Sequence, residues 1–160
     1  MAGIDARLEP HPDGTTWVFL SGTIDEDGDL EQIFASVKTR AVFQLEGVRR
    51  INSMGVRRWI PLITDFTQRW GASIEAISYP VVLQANCVAN LFGRALIQSC
   101  MAPYFCPRCN ANRVVLVARL DLQASGGAPP ERRCERCQTV MEFDELESYF
   151  SFFREPRERR

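Results

Sequence analysis

Two cysteine pairs at one short spacing, Cys106-Pro-Arg-Cys109 and Cys134-Glu-Arg-Cys137, constrain this chain more than any other feature. Two C-x2-C turns brought together present four sulfurs to a single centre. Thiolates in that pattern suit a tetrahedral Zn²⁺ with Zn–S arms of about 2.3 Å. Protein then fills every ligand position and leaves none for water or substrate, so a zinc ion held this way is structural. A rubredoxin-like iron centre uses similar knuckles but favours glycine after each second cysteine, where this chain has Asn110 and Gln138. Disulfides are the other alternative. The mixed, charged opening Met1–Pro10 does not read as a secretory leader, which points to a reducing, cytoplasmic setting and hence to metal over disulfide. Cys87 and Cys100, outside the quartet, read as small buried apolar residues.

The rest of the composition excludes more than it selects. With 160 residues the chain can bury a real core in one or two small domains. A net charge of −1 creates no global field towards nucleic acid or an acidic membrane. No apolar stretch approaches the roughly 20 residues that span a bilayer. His11 is the only histidine, and it sits between Pro10 and Pro12. There is no phosphate-binding glycine loop, no His-Glu metal pair and no serine triad, so the expectation is a protein that is not an enzyme.

Hydrophobic periodicity divides the chain near Cys100 to Tyr104. Before that point strands and helices alternate. Thr16–Ser21 and Ala41–Leu45 read as strands, with a helix over Leu30–Val37 between them. Asn52 and Ser53 could cap the next helix, on which Val56, Trp59, Ile60, Ile63 and Phe66 fall at helical spacing. Pro61 either kinks that helix or marks its true start. Ala72–Ser78 reads as a third strand. Pro80 opens a helix with Val82, Ala85, Val88, Ala89 and Phe92 on its buried face and Gly93 as its stop. Ala95–Met101 reads as a further strand. This order predicts an α/β sheet with helices packed on it.

After Cys100 to Tyr104 the pattern predicts a small β unit around the cysteines. Arg113–Leu122 is its long strand, Gln123–Glu131 a loop and Thr139–Phe143 the return. Asp144 with Glu147 fits a capping box opening a final helix, with Leu146, Phe150 and Phe153 on one face and Tyr149 beside them. Phe150, Phe152 and Phe153 are expected to dock that helix. The predicted division is 1–101, 102–153 and a charged tail over 154–160.

Gly22-Thr-Ile-Asp25 followed by the apolar run Ala41–Leu45 and Asn52-Ser-Met-Gly55 resembles the STAS domain, the fold of bacterial anti-sigma-factor antagonists. That family has Gly-x-Leu-Asp at the end of one strand, and Asp-Ser-Ser-Gly where a second strand enters a helix. Here Asn52 stands in place of the acidic residue and Met54 in place of the second small hydroxyl residue. The likeness covers about Thr16 to Phe92. It implies a STAS-like domain running into a zinc ribbon, and a signalling or adaptor role through protein–protein interaction. It further implies phosphorylation at Ser53 by a kinase that is also the anti-sigma-like partner. A phosphate adds about −1.5 to −2 charge at a helix N-terminus, which the helix tolerates and a partner fitted to a neutral hydroxyl does not.

Arg49, Arg50, Arg57 and Arg58 flank Ser53 and, with Asn52, are the candidate partner-binding residues. Two other roles compete with signalling. One is a nucleic-acid-binding ribbon carried by a STAS-like homodimer, which Arg108, Arg113, Arg119, Arg132, Arg133 and Arg136 would serve. Acidic neighbours and the lack of interleaved aromatics weigh against it. The other is a structural subunit of a larger assembly.

Overall fold

The computed structural model describes residues 3–153. The charged tail expected over 154–160 lies outside the described residues. Two sheets organise the fold, which is of the mixed α/β class predicted.

The first sheet has five strands in sequential order. They are β1 (Ile4–Pro10), β2 (Thr16–Ile24), β3 (Ala41–Ile51), β4 (Ala72–Glu75) and β5 (Leu96–Ile97). β1 pairs antiparallel with β2, and the remaining neighbours are parallel. Parallel neighbours need crossovers, and the helices α1 (Leu30–Ala35), α2 (Ser53–Arg69) and α3 (Tyr79–Cys87) supply them. On one face of the sheet Val18, Leu20, Phe43, Leu45 and Ile74 are buried, while their neighbours Trp17, Phe19, Val42 and Gln44 are half-buried on the other. The buried face meets α1 and α2 through Phe34, Phe43, Trp59 and Phe66, whose rings lie 5.3–6.1 Å apart in mostly edge-to-face contact. Trp59 Nε1 donates to the Leu91 carbonyl at 2.7 Å, so the largest buried side chain is also polar-satisfied.

The second sheet has three strands ordered β7-β6-β8: β6 (Ser99–Cys106), β7 (Ala111–Ala118) and β8 (Glu142–Phe143), all antiparallel. β6 also touches the first sheet through an isolated parallel bridge from Cys100 to Ile77. It therefore runs without a break through position 101, where the sequence suggested a boundary, and buried residues of both sheets form one cluster.

Several local expectations give way. β1 was not foreseen, because only Ile4 of its residues is buried and its apolar pattern is absent. α2 begins at Ser53, so Pro61 lies inside it, at an exposed position where water can satisfy the carbonyl that proline leaves unpaired. α3 stops at Cys87 rather than Gly93. Val82 and Ala85 are buried as expected, but Ala89 is exposed, and Phe92 is buried from the following turn. Cys87, expected inside, is exposed at the end of α3. The strand expected over Ala95–Met101 breaks at Gln98 into β5 and β6.

The strand expected over Arg113–Leu122 ends at Ala118. There Asp121 accepts a hydrogen bond from the Ala118 N–H at 3.0 Å and starts a short helix, α4 (Arg119–Ala124). The final helix is a 3-10 helix over Glu147–Phe153. Its three-residue repeat buries Tyr149 with Phe152 and Phe150 with Phe153, while Leu146, expected on one face with Phe150 and Phe153, lies before the helix and is 73% exposed. The phenylalanines do dock: Phe152 N–H and the Ser151 hydroxyl donate to Asn86 Oδ1 on α3, and Asn86 Nδ2 donates to the Tyr149 carbonyl.

Candidate functional site

Each cysteine pair is formed by a tight turn, the first between β6 and β7 and the second in the segment before β8. Cys106 closes β6, and the chain turns through Pro107 and Arg108 to Cys109, whose N–H donates to Cys106 Sγ at 3.4 Å. Asn110 then adopts φ +50° and sends the chain into β7. The second turn repeats this geometry. Gln138 N–H donates to the Cys134 carbonyl at 2.8 Å, Gln138 adopts φ +63°, and Cys134 N–H donates to the Thr139 carbonyl at 2.9 Å. Both residues after the second cysteine thus occupy the left-handed region that glycine would fill without strain.

The two turns face each other. All four sulfurs lie within 4.8 Å of one another, in a cluster able to hold a metal ion. Cys106 Sγ is 3.4 Å from Cys137 Sγ, and Cys109 Sγ is 3.9 Å from Cys134 Sγ. Each pair contributes one buried sulfur, Cys106 or Cys134, and one partly buried, Cys109 or Cys137.

The surroundings shift three of the four thiols, two down and one up. The Thr139 hydroxyl, 3.3 Å from Cys137 Sγ, holds that thiol down at about 6, helped by the Thr139 backbone. N–H groups of Cys137 and Arg136 lower Cys134. Cys109 is pushed up to about 12, first by its hydrogen bond with Cys137 and then by burial. Four thiolates this close repel one another, and a divalent cation at their centre would offset that repulsion. Thr139 was not singled out in the sequence, and only its place two residues after Cys137 hinted at its role. Cys100, in contrast, is buried and uncharged, its thiol pushed up to about 12 by burial.

The second predicted site lies at the start of α2. Here the two short motifs of the first sheet meet. Asn52 N–H donates to the Ile24 carbonyl at 3.2 Å. Asn52 Oδ1 caps the helix by accepting from Gly55 N–H at 2.8 Å, and its Nδ2 donates to Glu26 at 2.8 Å. That bond holds the Glu26 carboxyl below its usual range. Gly55 is required by contact: a Cβ there would sit 2.0 Å from the Ile24 carbonyl oxygen.

Ser53 is exposed at the first position of α2, and Met54 beside it is 45% exposed. Arg49 and Arg50 at the end of β3, and Arg57 one turn into α2, are exposed as well. Arg58 behaves differently. Its guanidinium turns into the Asp25–Asp29 loop and donates to the carbonyls of Asp25, Asp27 and Gly28 at 2.7–2.9 Å, and to the Glu31 carboxylate. Arg58 is raised, and Glu31 lowered, first by the hydrogen bond between them. The exposed basic set is therefore Arg49, Arg50 and Arg57. The acidic run at Asp25–Asp29 was the signal for Arg58's partner, but nothing in the sequence told which arginine would meet it.

Among the described residues no helix is long and apolar enough to cross a membrane. Comparison with protein-family models, curated proteins and solved structures gave no match for this chain.

Proposed function

We propose that this protein is a non-catalytic signalling or adaptor module of STAS-like type. Its partner docks on the surface around Ser53, and a structural zinc ion braces the neighbouring ribbon. The observation that carries the reading is the exposed Ser53 hydroxyl at the first position of a 17-residue helix, with the exposed Arg49, Arg50 and Arg57 flanking it in the sequence. Phosphate at such a position meets unpaired helix N–H groups and the positive end of the helix dipole. The new charge is held without unfolding α2, and a surface fitted to the hydroxyl is lost.

Zinc suits the cysteine cluster by its dimensions. A regular tetrahedron with arms of about 2.3 Å has edges of about 3.8 Å. Two of the sulfur–sulfur distances here are 3.4 and 3.9 Å. Four protein sulfurs leave no open position, which favours a structural ion over a catalytic one.

Wild type, Ser53→Ala and Ser53→Asp proteins purified with their partners from the native cell test the reading. The expected result is retention of one partner by wild type and Ser53→Ala, and its loss from Ser53→Asp. Identical partners at equal yield for all three would sink the switch.

A further inference from the structure

A cleft separate from both sites opens between the end of α3, the turn leading to β5 and the terminal 3-10 helix. Its volume is about 420 Å³, within the range of small-molecule sites. Leu91, Phe92, Phe152 and Phe153 form its floor and are buried. Leu96 stands at its rim, 43% exposed.

Two cationic residues line this apolar hollow, Arg94 and Arg119, and among the described residues no acidic one does. A chain with more acidic than basic residues makes that segregation notable. Arg119 is fixed in place: its Nε donates to the Ile97 carbonyl at 2.7 Å, and its guanidinium carbon lies 5.9 Å from the centre of the Phe153 ring. Among the described residues neither arginine takes part in a salt bridge. Nε is used, so Arg119 retains its two terminal amino groups, a planar pair suited to one carboxylate.

We infer that this cleft binds a monocarboxylate carried on an apolar chain, with the chain over Phe92, Phe152 and Phe153 and the carboxylate at Arg119. The apolar floor excludes a fully hydrated anion as the best occupant, because its burial would gain nothing. The two arginines in the lining disfavour a cation. Arg94 adds long-range attraction from the rim.

The test uses ¹⁵N-labelled, metal-loaded full chain titrated with octanoate, and with octanol and acetate as controls. Octanoate is expected to cause saturable shifts at residues 88–97 and 150–153, with affinity about tenfold or more above that of either control. Arg119→Gln should weaken octanoate by about tenfold, to the level of octanol. Should that variant fold poorly, Leu96→Glu places a carboxylate on the exposed rim without touching the core, and should abolish octanoate binding while sparing octanol. The inference is overturned if octanoate gives no saturable shift, if octanol binds equally well, or if octanoate binds Leu96→Glu undiminished.

Discussion

Two contacts at single residues hold the start of α2 against the end of β2. Gly55 lies where any Cβ would strike the Ile24 carbonyl. Gly55→Ala should therefore force the helix off the strand and destabilise the protein by about 2–3 kcal/mol in urea unfolding. Unchanged stability would mean that the helix start is not held this closely. Arg58 closes the Asp25–Asp29 loop over the same corner through three carbonyls and Glu31. Arg58→Ala should cost about 1–2 kcal/mol, discounted for its partial exposure to water. The pH dependence follows from Glu31, whose folded carboxyl is lowered by Arg58. A lowered acid contributes stability that is fully present above its unfolded value, about 4.3, and is lost as pH falls through the folded value. Wild type should thus lose stability more steeply than Arg58→Ala below about pH 4.3. Parallel acid limbs in denaturation curves would remove the Arg58–Glu31 pair from the account.

At the scale of elements, the sequence was most readable where chemistry is local. The cysteine pairs name their own turns, and the 3.6-residue repeat of α2 places Val56, Trp59, Ile63 and Phe66 inside. It was least readable where tertiary pairing decides. β1 carries Asp5, Arg7 and Glu9 and is held by backbone bonds to β2, which leave no apolar signature. α4 continues the apolar spacing of β7, and the break from strand to helix is made by tertiary and capping bonds, Ala118 N–H to Asp121 and Arg119 N–H to the Gln98 carbonyl. The 3-10 repeat of the last helix could not be told from an α-helical one over seven residues. The resulting burial pattern makes thiol chemistry a test of the metal centre. In the metal-loaded protein, alkylation should label Cys87 and spare buried Cys100 and the clustered four. Stripping the metal with a chelator should make Cys106, Cys109, Cys134 and Cys137 reactive and loosen the turns at 106–111 and 132–143, with exchange protection in β2 and β3 retained. The same labelling with and without chelator would show that the cluster holds no metal.

Across the whole molecule, β6 ties the two sheets together. The Tyr149 hydroxyl donates to the Met101 carbonyl at 2.6 Å, and Tyr104 to Pro130 at 2.7 Å. Burial raises both phenols, so they stay neutral donors. Cys106 closes β6 at the end away from the Cys100–Ile77 bridge that joins the two sheets. Ser53 opens α2 directly after β3, with Arg49 and Arg50 near the end of β3 and Arg57 one turn into α2. These elements form a single packed core, which presents the Ser53 surface on a rigid support. The Ser53 switch is decided by the dissociation constant of the co-purified partner, measured by calorimetry on metal-loaded wild type, Ser53→Ala and Ser53→Asp. Ser53→Asp should weaken binding at least about tenfold, with Ser53→Ala close to wild type. Equal affinity for all three proteins would contradict it.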